Sequence, residues 1–170
     1  MNNIIQKDNI KNSTKIISSF FDKTQPRVGF ILGSGLGSFE KVIHNIKTIE
    51  YSKLPGFPQL SVQGHSGKVL IGEINGIPLV CLSGRAHSYE GKMTSMLVPI
   101  RTLKSLGCKT IIITNAAGGL KQSYSAGDLM LISDHINLQP GNPLVGPNAE
   151  EFGPRFPDLS DAYNYTLRKL

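Results

Sequence analysis

No apolar run in the chain approaches the ~20 residues that a membrane-spanning helix needs, and Met1-Asn2-Asn3-Ile4 lacks the basic start and apolar core of a secretory signal. A cytoplasmic protein with no membrane partner is the expectation. Cysteine is scarce. Cys81 lies in Leu79-Val80-Cys81-Leu82 and Cys108 precedes Lys109, beside apolar segments and without metal-ligand spacing, so both read as buried thiols. The four histidines show no short paired spacing, and His87-x-x-Glu90 lacks a second pair, so no metal site is expected. Internal repeats and low-complexity tracts are also missing. Lys and Arg number 18 against 12 Asp and Glu, for a formal charge of +6. That excess could suggest nucleic acid, but the lysines are scattered singly (Lys7, Lys11, Lys15, Lys23, Lys41, Lys47) and no stretch interleaves basic and aromatic residues. A solvated surface that also attracts an anionic substrate is the better reading, with no nucleic-acid partner.

What is present is the composition of a folded domain. Hydrophobic residues make up 39% and charged ones 18% of 170 residues, a length that suits one domain with a real core. Apolar residues from Ile4 to Phe21 recur near helical spacing, which predicts a helix or a broken pair over about residues 3–23. Arg27–Leu32 reads as a buried strand that enters Gly33-Ser34-Gly35-Leu36-Gly37. Lys68–Ile74 and Ile77–Leu82 flank Asn75-Gly76, a pair that favours a two-residue hairpin turn, so the sheet should be mixed. Thr94–Leu106 has helical spacing, with Pro99 placing a kink or a late start and Gly107 closing it. Thr110–Thr114 is a continuous β-branched run fit for a central buried strand, and it empties into Asn115-Ala116-Ala117-Gly118-Gly119. Asp128–Ser133 predicts a further strand, Pro140–Pro157 a long loop of the kind used for binding, and Asp158 or Ser160 the cap of a last helix reaching Leu170.

Three of these loops bear on chemistry. Gly84-Arg85-Ala86-His87-Ser88-Tyr89-Glu90-Gly91 follows a strand and packs a cation, an imidazole, a phenol and a carboxylate into a short run. An arginine fork matches phosphate or carboxylate oxygens, and a histidine two residues on points the same way if the backbone stays extended. An Arg–Glu ion pair capping the loop is the plainer alternative. Gly33–Gly37 resembles a dinucleotide fingerprint at first sight, with Glu50 where a ribose-binding acid would stand. Ser38 occupies the place of the third glycine, however, and Phe39–Asn45 is short for a crossover helix. No Gly-Lys-Ser/Thr triplet supports a Walker loop. A phosphate nest built from backbone N–H groups and the Ser34 hydroxyl survives. Taken alone, Gly64-His65-Ser66-Gly67 is more simply a surface turn, His135 a strand-end or loop histidine with a structural hydrogen bond, and His44 a solvated side chain.

In order along the chain, Gly33–Gly37, Gly64–Gly67, Gly84–Gly91, Thr114–Gly119 and Asp134-His135-Ile136-Asn137-Leu138 resemble the trimeric purine nucleoside phosphorylases. The likeness extends to Gly153-Pro154-Arg155-Phe156-Pro157 and Ser160-Asp161-Ala162-Tyr163. It implies an α/β fold with a mixed central β-sheet flanked by helices, and phosphorolysis of a purine nucleoside to free base and ribose 1-phosphate. Inorganic phosphate is then a co-substrate and no cofactor is expected. The resemblance places phosphate at Ser34, Arg85, His87 and the Ala116 backbone, with His65 and the Ala86 backbone close by. It gives Tyr89 a ribose contact and Glu90 the orientation of His87, the two residues His87 and Glu90 forming the catalytic pair. Phe156 resembles an aromatic lent to the sugar end of a neighbour's site, which implies a homotrimer. The family's chain continues further, and its base-reading residues would lie beyond Leu170, so by this resemblance residues 1–170 read as a single domain lacking its carboxy-terminal part. A non-catalytic phosphate-binding remnant and a methylthioadenosine phosphorylase are the alternatives; the Arg85–Glu90 order looks like the purine nucleoside branch.

Overall fold

Val28–Leu32 is a short apolar strand (β1) that receives partners on both sides. A computed structural model of the chain describes residues 3–21, 24–60, 67–87, 89 and 93–170. The chain divides into two units, Met1–Ala116 and Ala117–Leu170.

The first unit begins with helix α1 (Asn3–Ser18), which buries Ile10, Ser13 and Ile17 along one stripe and leaves Ile4 and Ile5 exposed. Ser13 Oγ donates to the Pro55 carbonyl at 2.9 Å, which satisfies a hydroxyl on the buried face. The helix is shorter than its apolar pairs suggest. Ser18 and Ser19 turn their hydroxyls back onto the carbonyls of Lys15 and Ile16, competing for the last acceptors, and Phe20 and Phe21 close tighter turns.

Among the described residues, five strands form one sheet in the order β2-β3-β4-β1-β5. β2 (His44–Glu50), β3 (Lys68–Ile74) and β4 (Ile77–Ser83) are antiparallel neighbours, while β1 runs parallel to β4 on one side and to β5 (Thr110–Ile113) on the other. The expected mixed sheet is present. Asn75 (φ 50°) and Gly76 (φ 74°) make the hairpin turn between β3 and β4. β2 had no clear signal in the sequence, because an edge strand with a register shift and a single buried residue, Ile49, has no alternation to read.

Alternation sorts the sheet into two faces. Val28, Phe30, Leu32, Leu70, Ile74, Leu79 and Cys81 share one face with Phe39 and Ile43 from the segment after β1, and the Phe30 and Phe39 rings lie 4.8 Å apart. On the other face, helix α2 (Leu97–Ser105) sets the fully buried Leu103 against Gly29, where a Cβ would come within 3.0 Å of Leu103 Cδ1. Pro99 lies in the first turn of α2, where a missing N–H costs nothing, so it marks a late start rather than a kink. α1 packs on α2, with Arg101 Nη1 donating to Gln6 Oε1 at 2.8 Å.

Three expectations need correction. Thr110–Ile113 is not a central buried strand. Only β1 pairs with it among the described residues, and Ile111, Ile112 and Ile113 are 37%, 42% and 58% exposed. Asp128–Ser133 forms no strand in the second unit, where Leu129, Met130 and Leu131 are exposed: an apolar run supplies side chains but not a ladder partner. The last helix is reduced to a 3-10 turn, Leu167–Lys169. A second 3-10 turn, Glu150–Phe152, is the other helical element there. Arg168 ties the region together, donating to the Ser133 carbonyl at 3.2 Å and pairing with Asp161 at 3.1 Å.

Candidate functional site

Parallel pairing on both sides of β1 brings the carboxyl ends of three strands to one edge of the sheet. Leu32 stands level with Ser83 of β4 and Ile31 level with Ile113 of β5, so the segments starting at Gly33, Gly84 and Thr114 leave the sheet side by side. From β1 the chain reaches β4 on one flank, and α2 then crosses to β5 on the other. Such a switch point is where open α/β sheets place ligands.

These exits are tied to their neighbours by specific hydrogen bonds. Gly33 N–H donates to Thr114 Oγ1 at 2.9 Å, and Thr114 N–H donates to the Ile31 carbonyl at 3.0 Å. A Cβ on Gly33 would stand 2.4 Å from the Thr114 carbonyl oxygen and 2.9 Å from Asn115 Cα, so glycine permits the close approach of these two segments. Ser83 Oγ donates to Glu40 Oε1 at 2.6 Å, linking the end of β4 to the 3-10 helix Gly37–Val42 that follows the first loop. Tyr51 Oη donates to the Gly84 carbonyl at 2.7 Å.

On this frame Ser34 is exposed at the first turn, and Arg85, Ala86 and His87 are half-buried after β4. Arg85 Nε is buried with no hydrogen-bond partner among the described residues. A charged N–H withdrawn from water and left unmatched costs about 1–3 kcal/mol or more, which an anionic acceptor would recover. The Ala86 N–H is already directed at Met96 Sδ, a weak acceptor at 3.4 Å. The His87 ring stacks on Tyr89, with centroids 4.9 Å apart and planes 9° off parallel, and Tyr89 is 75% exposed. Ala116 is exposed after β5, its carbonyl accepting from Asn115 Nδ2 at 3.1 Å. His65 and Glu90 lie outside the described residues, so the roles expected of them rest on sequence alone. Phe156 belongs to the second unit and is 87% exposed. There His135 Nδ1 and Tyr163 Oη are 3.1 Å apart, the structural bond expected of a loop histidine.

Both thiols are held in the protonated, weakly nucleophilic form near neutral pH. Burial and, second, the Glu40 carboxylate push Cys81 up to about 12, and burial pushes Cys108 up to about 11 despite a backbone hydrogen bond that acts the other way. Among the described residues no group of three or more His, Cys, Asp or Glu is placed to hold a metal ion, and no helix is long and apolar enough to cross a membrane. Sequence reasoning missed Glu40 and Tyr51. Neither sits in a recognisable pattern, and their partners are 43 and 33 residues away along the chain.

A mixed sheet whose parallel strands empty into glycine-bounded loops, one of them carrying Arg85 with an Nε that has no partner among the described residues, defines an α/β protein with its candidate site at the carboxyl edge. The chain belongs to the phosphorylase superfamily, whose profile matches residues 27–170. It is 43% identical over 165 residues to purine nucleoside phosphorylase 1 of Bacillus subtilis (strain 168), covering 96% of this chain and 60% of that protein. Against purine nucleoside phosphorylase 1 of Geobacillus stearothermophilus it is 48% identical over 148 residues, 86% of this chain and 54% of the relative. The crystal structure of isoform 2 of purine nucleoside phosphorylase from Schistosoma mansoni, in complex with cytosine and ribose-1-phosphate, matches with a TM-score of 0.85 and 42% identity over 95% of this chain and 58% of that one. The chain thus spans between about half and three-fifths of the length of these relatives.

Proposed function

We propose that this chain provides the phosphate- and ribose-binding side of a purine nucleoside phosphorylase, a pentosyltransferase of purine salvage that converts inosine- or guanosine-type nucleosides and inorganic phosphate to free base and ribose 1-phosphate. The observation that carries the reading is the unmatched, buried Nε of Arg85 at the edge where the Ser34, Arg85–His87 and Ala116 segments converge. The relatives' names and the ribose-1-phosphate complex support it.

In this reading the Arg85 fork, the Ser34 hydroxyl, His87 and the Ala116 N–H hold phosphate, with His65 and the Ala86 backbone near it. The Ala86 N–H must exchange its weak sulfur acceptor for an oxygen to take part. Phosphate attacks the anomeric carbon as the glycosidic bond breaks, and the dianion stabilises the cationic sugar in the transition state. Glu90 orients His87, Tyr89 meets the ribose, and Phe156 of a neighbouring subunit closes the sugar end in a homotrimer. The reaction needs no cofactor beyond phosphate as co-substrate, and it belongs in the cytoplasm.

The test is titration of the chain with orthophosphate, beside an assay for phosphate-dependent release of hypoxanthine from inosine. Arg85→Ala is expected to weaken phosphate binding about ten- to a hundredfold, as befits loss of a charged hydrogen bond. Equal affinity in the variant, or no saturable binding by the unmodified chain, would remove the site. Binding without base release would restrict the reading to a phosphate-binding module, and preferential cleavage of methylthioadenosine would move it to that branch.

A further inference from the structure

We propose that Tyr51 is a positioning residue for the anion site: its hydroxyl fixes the peptide plane between Gly84 and Arg85 and so sets the direction in which Arg85 leaves β4. The inference rests on the phosphate-site reading of Arg85 given above.

Gly84 is buried and adopts φ +110°, a conformation that glycine reaches readily and other residues do not. The same freedom that lets the chain turn there leaves the turn undetermined, so something outside the loop must select one orientation. Among the described residues, the hydrogen bond to the Gly84 carbonyl comes from Tyr51 Oη at 2.7 Å. Because a trans peptide is planar, with its C=O and N–H pointing in opposite directions, holding the Gly84 oxygen also holds the Arg85 N–H and the start of its side chain. Tyr51 is itself well anchored. It is 3% exposed, its N–H donates to the Gly67 carbonyl at 2.7 Å, and its ring meets Phe57 edge-on with centroids 5.1 Å apart. Burial, and to a lesser extent Cys81, raises its phenol far above the usual value, so the hydroxyl keeps its proton and remains a donor.

Tyr51→Phe removes the donor and keeps the ring. The buried Gly84 carbonyl then lacks this partner, a cost the chain relieves by rotating the peptide, which displaces Arg85. Expected results are faster amide hydrogen exchange at Gly84–His87 and orthophosphate affinity about three- to tenfold weaker, the scale of one lost hydrogen bond. Phe57→Leu is the control, since it removes the ring contact and leaves the hydroxyl. It should lower the melting temperature at least as much while leaving exchange at Gly84–His87 and phosphate affinity within about twofold of the unmodified chain. Unchanged exchange in Tyr51→Phe, or equal effects in Phe57→Leu, would overturn the proposal. Should the unmodified chain bind no orthophosphate, the functional reading falls, and the exchange comparison alone still decides whether Tyr51 holds the loop.

Discussion

The two units handle similar apolar sequences in opposite ways. In the first, Leu79-Val80-Cys81-Leu82 lies between two hydrogen-bonded neighbours, and all four residues are at most 2% exposed. In the second, Leu129-Met130-Leu131 is no less apolar, yet the three are 90%, 57% and 68% exposed and join no sheet. Hydrophobic side chains are attracted to any covered surface, but a strand also needs partners for every N–H and C=O it takes out of water. β4 finds them in β3 and β1. β5 is intermediate, with one neighbour and three partly exposed isoleucines.

Truncating matched residues should separate the units most sharply. Leu103→Ala, which empties a fully buried position over Gly29, is expected to destabilise the first unit by about 2–5 kcal/mol. Leu131→Ala, 68% exposed in the second unit, should stay within about 0.5 kcal/mol. Denaturant unfolding followed by far-ultraviolet circular dichroism measures both, and equal losses would show that the second unit has a core of its own.

A smaller effect should follow from adding one methyl group to a glycine in each unit. Gly33→Ala drives a Cβ into the Thr114 and Asn115 backbone and is expected to cost about 1–3 kcal/mol. Gly118, with nothing within 4 Å of where the added methyl would stand and no positive φ, should accept alanine within about 0.5 kcal/mol. Thermal melts of the two variants make the comparison. A stable Gly33→Ala would mean that the segments after β1 and β5 do not approach as closely as the structure has them.

Taken per pH unit, the smallest effect comes from titration of the cysteines, both of which lie in the first unit. Cys81 is raised in the folded state from 9.0 to about 12. The folded chain therefore retains a proton that the unfolded chain loses, so the contribution is complete below about pH 9 and is lost as pH rises toward 12. Stability should fall by up to about 1.4 kcal/mol per pH unit from this thiol within that window. Cys81→Ala should remove that part of the slope, while Cys108, raised to about 11, leaves a similar part in place. Identical slopes with and without Cys81 would mean that its environment is wetter than the structure shows.

Much of the first unit could be read directly from residues. The hairpin was legible because Asn-Gly between two apolar runs has one favoured turn, and α2 because of its helical spacing, although a kink or a late start at Pro99 stayed open until the structure placed Pro99 in the first turn. Of the candidate site, Ser34, Arg85 and His87 were suggested by glycine-bounded loops that end strands, a local pattern, whereas Ala116 came only through the resemblance to a known family. Glu40 and Tyr51 were invisible, because each acts through one hydrogen bond to a residue distant along the chain. By itself the sequence determined that β1, β3 and β4 extend, that Asn75-Gly76 turns, and which loops carry the charged and small residues suited to an anion. Only the tertiary structure decided that β1 pairs in parallel on both sides, that three loops therefore open at one edge, and that β5 and the 129–131 segment stay exposed. Local pattern follows from the preferences of neighbouring residues, whereas pairing and burial depend on which distant backbone groups are there to complete the ladder.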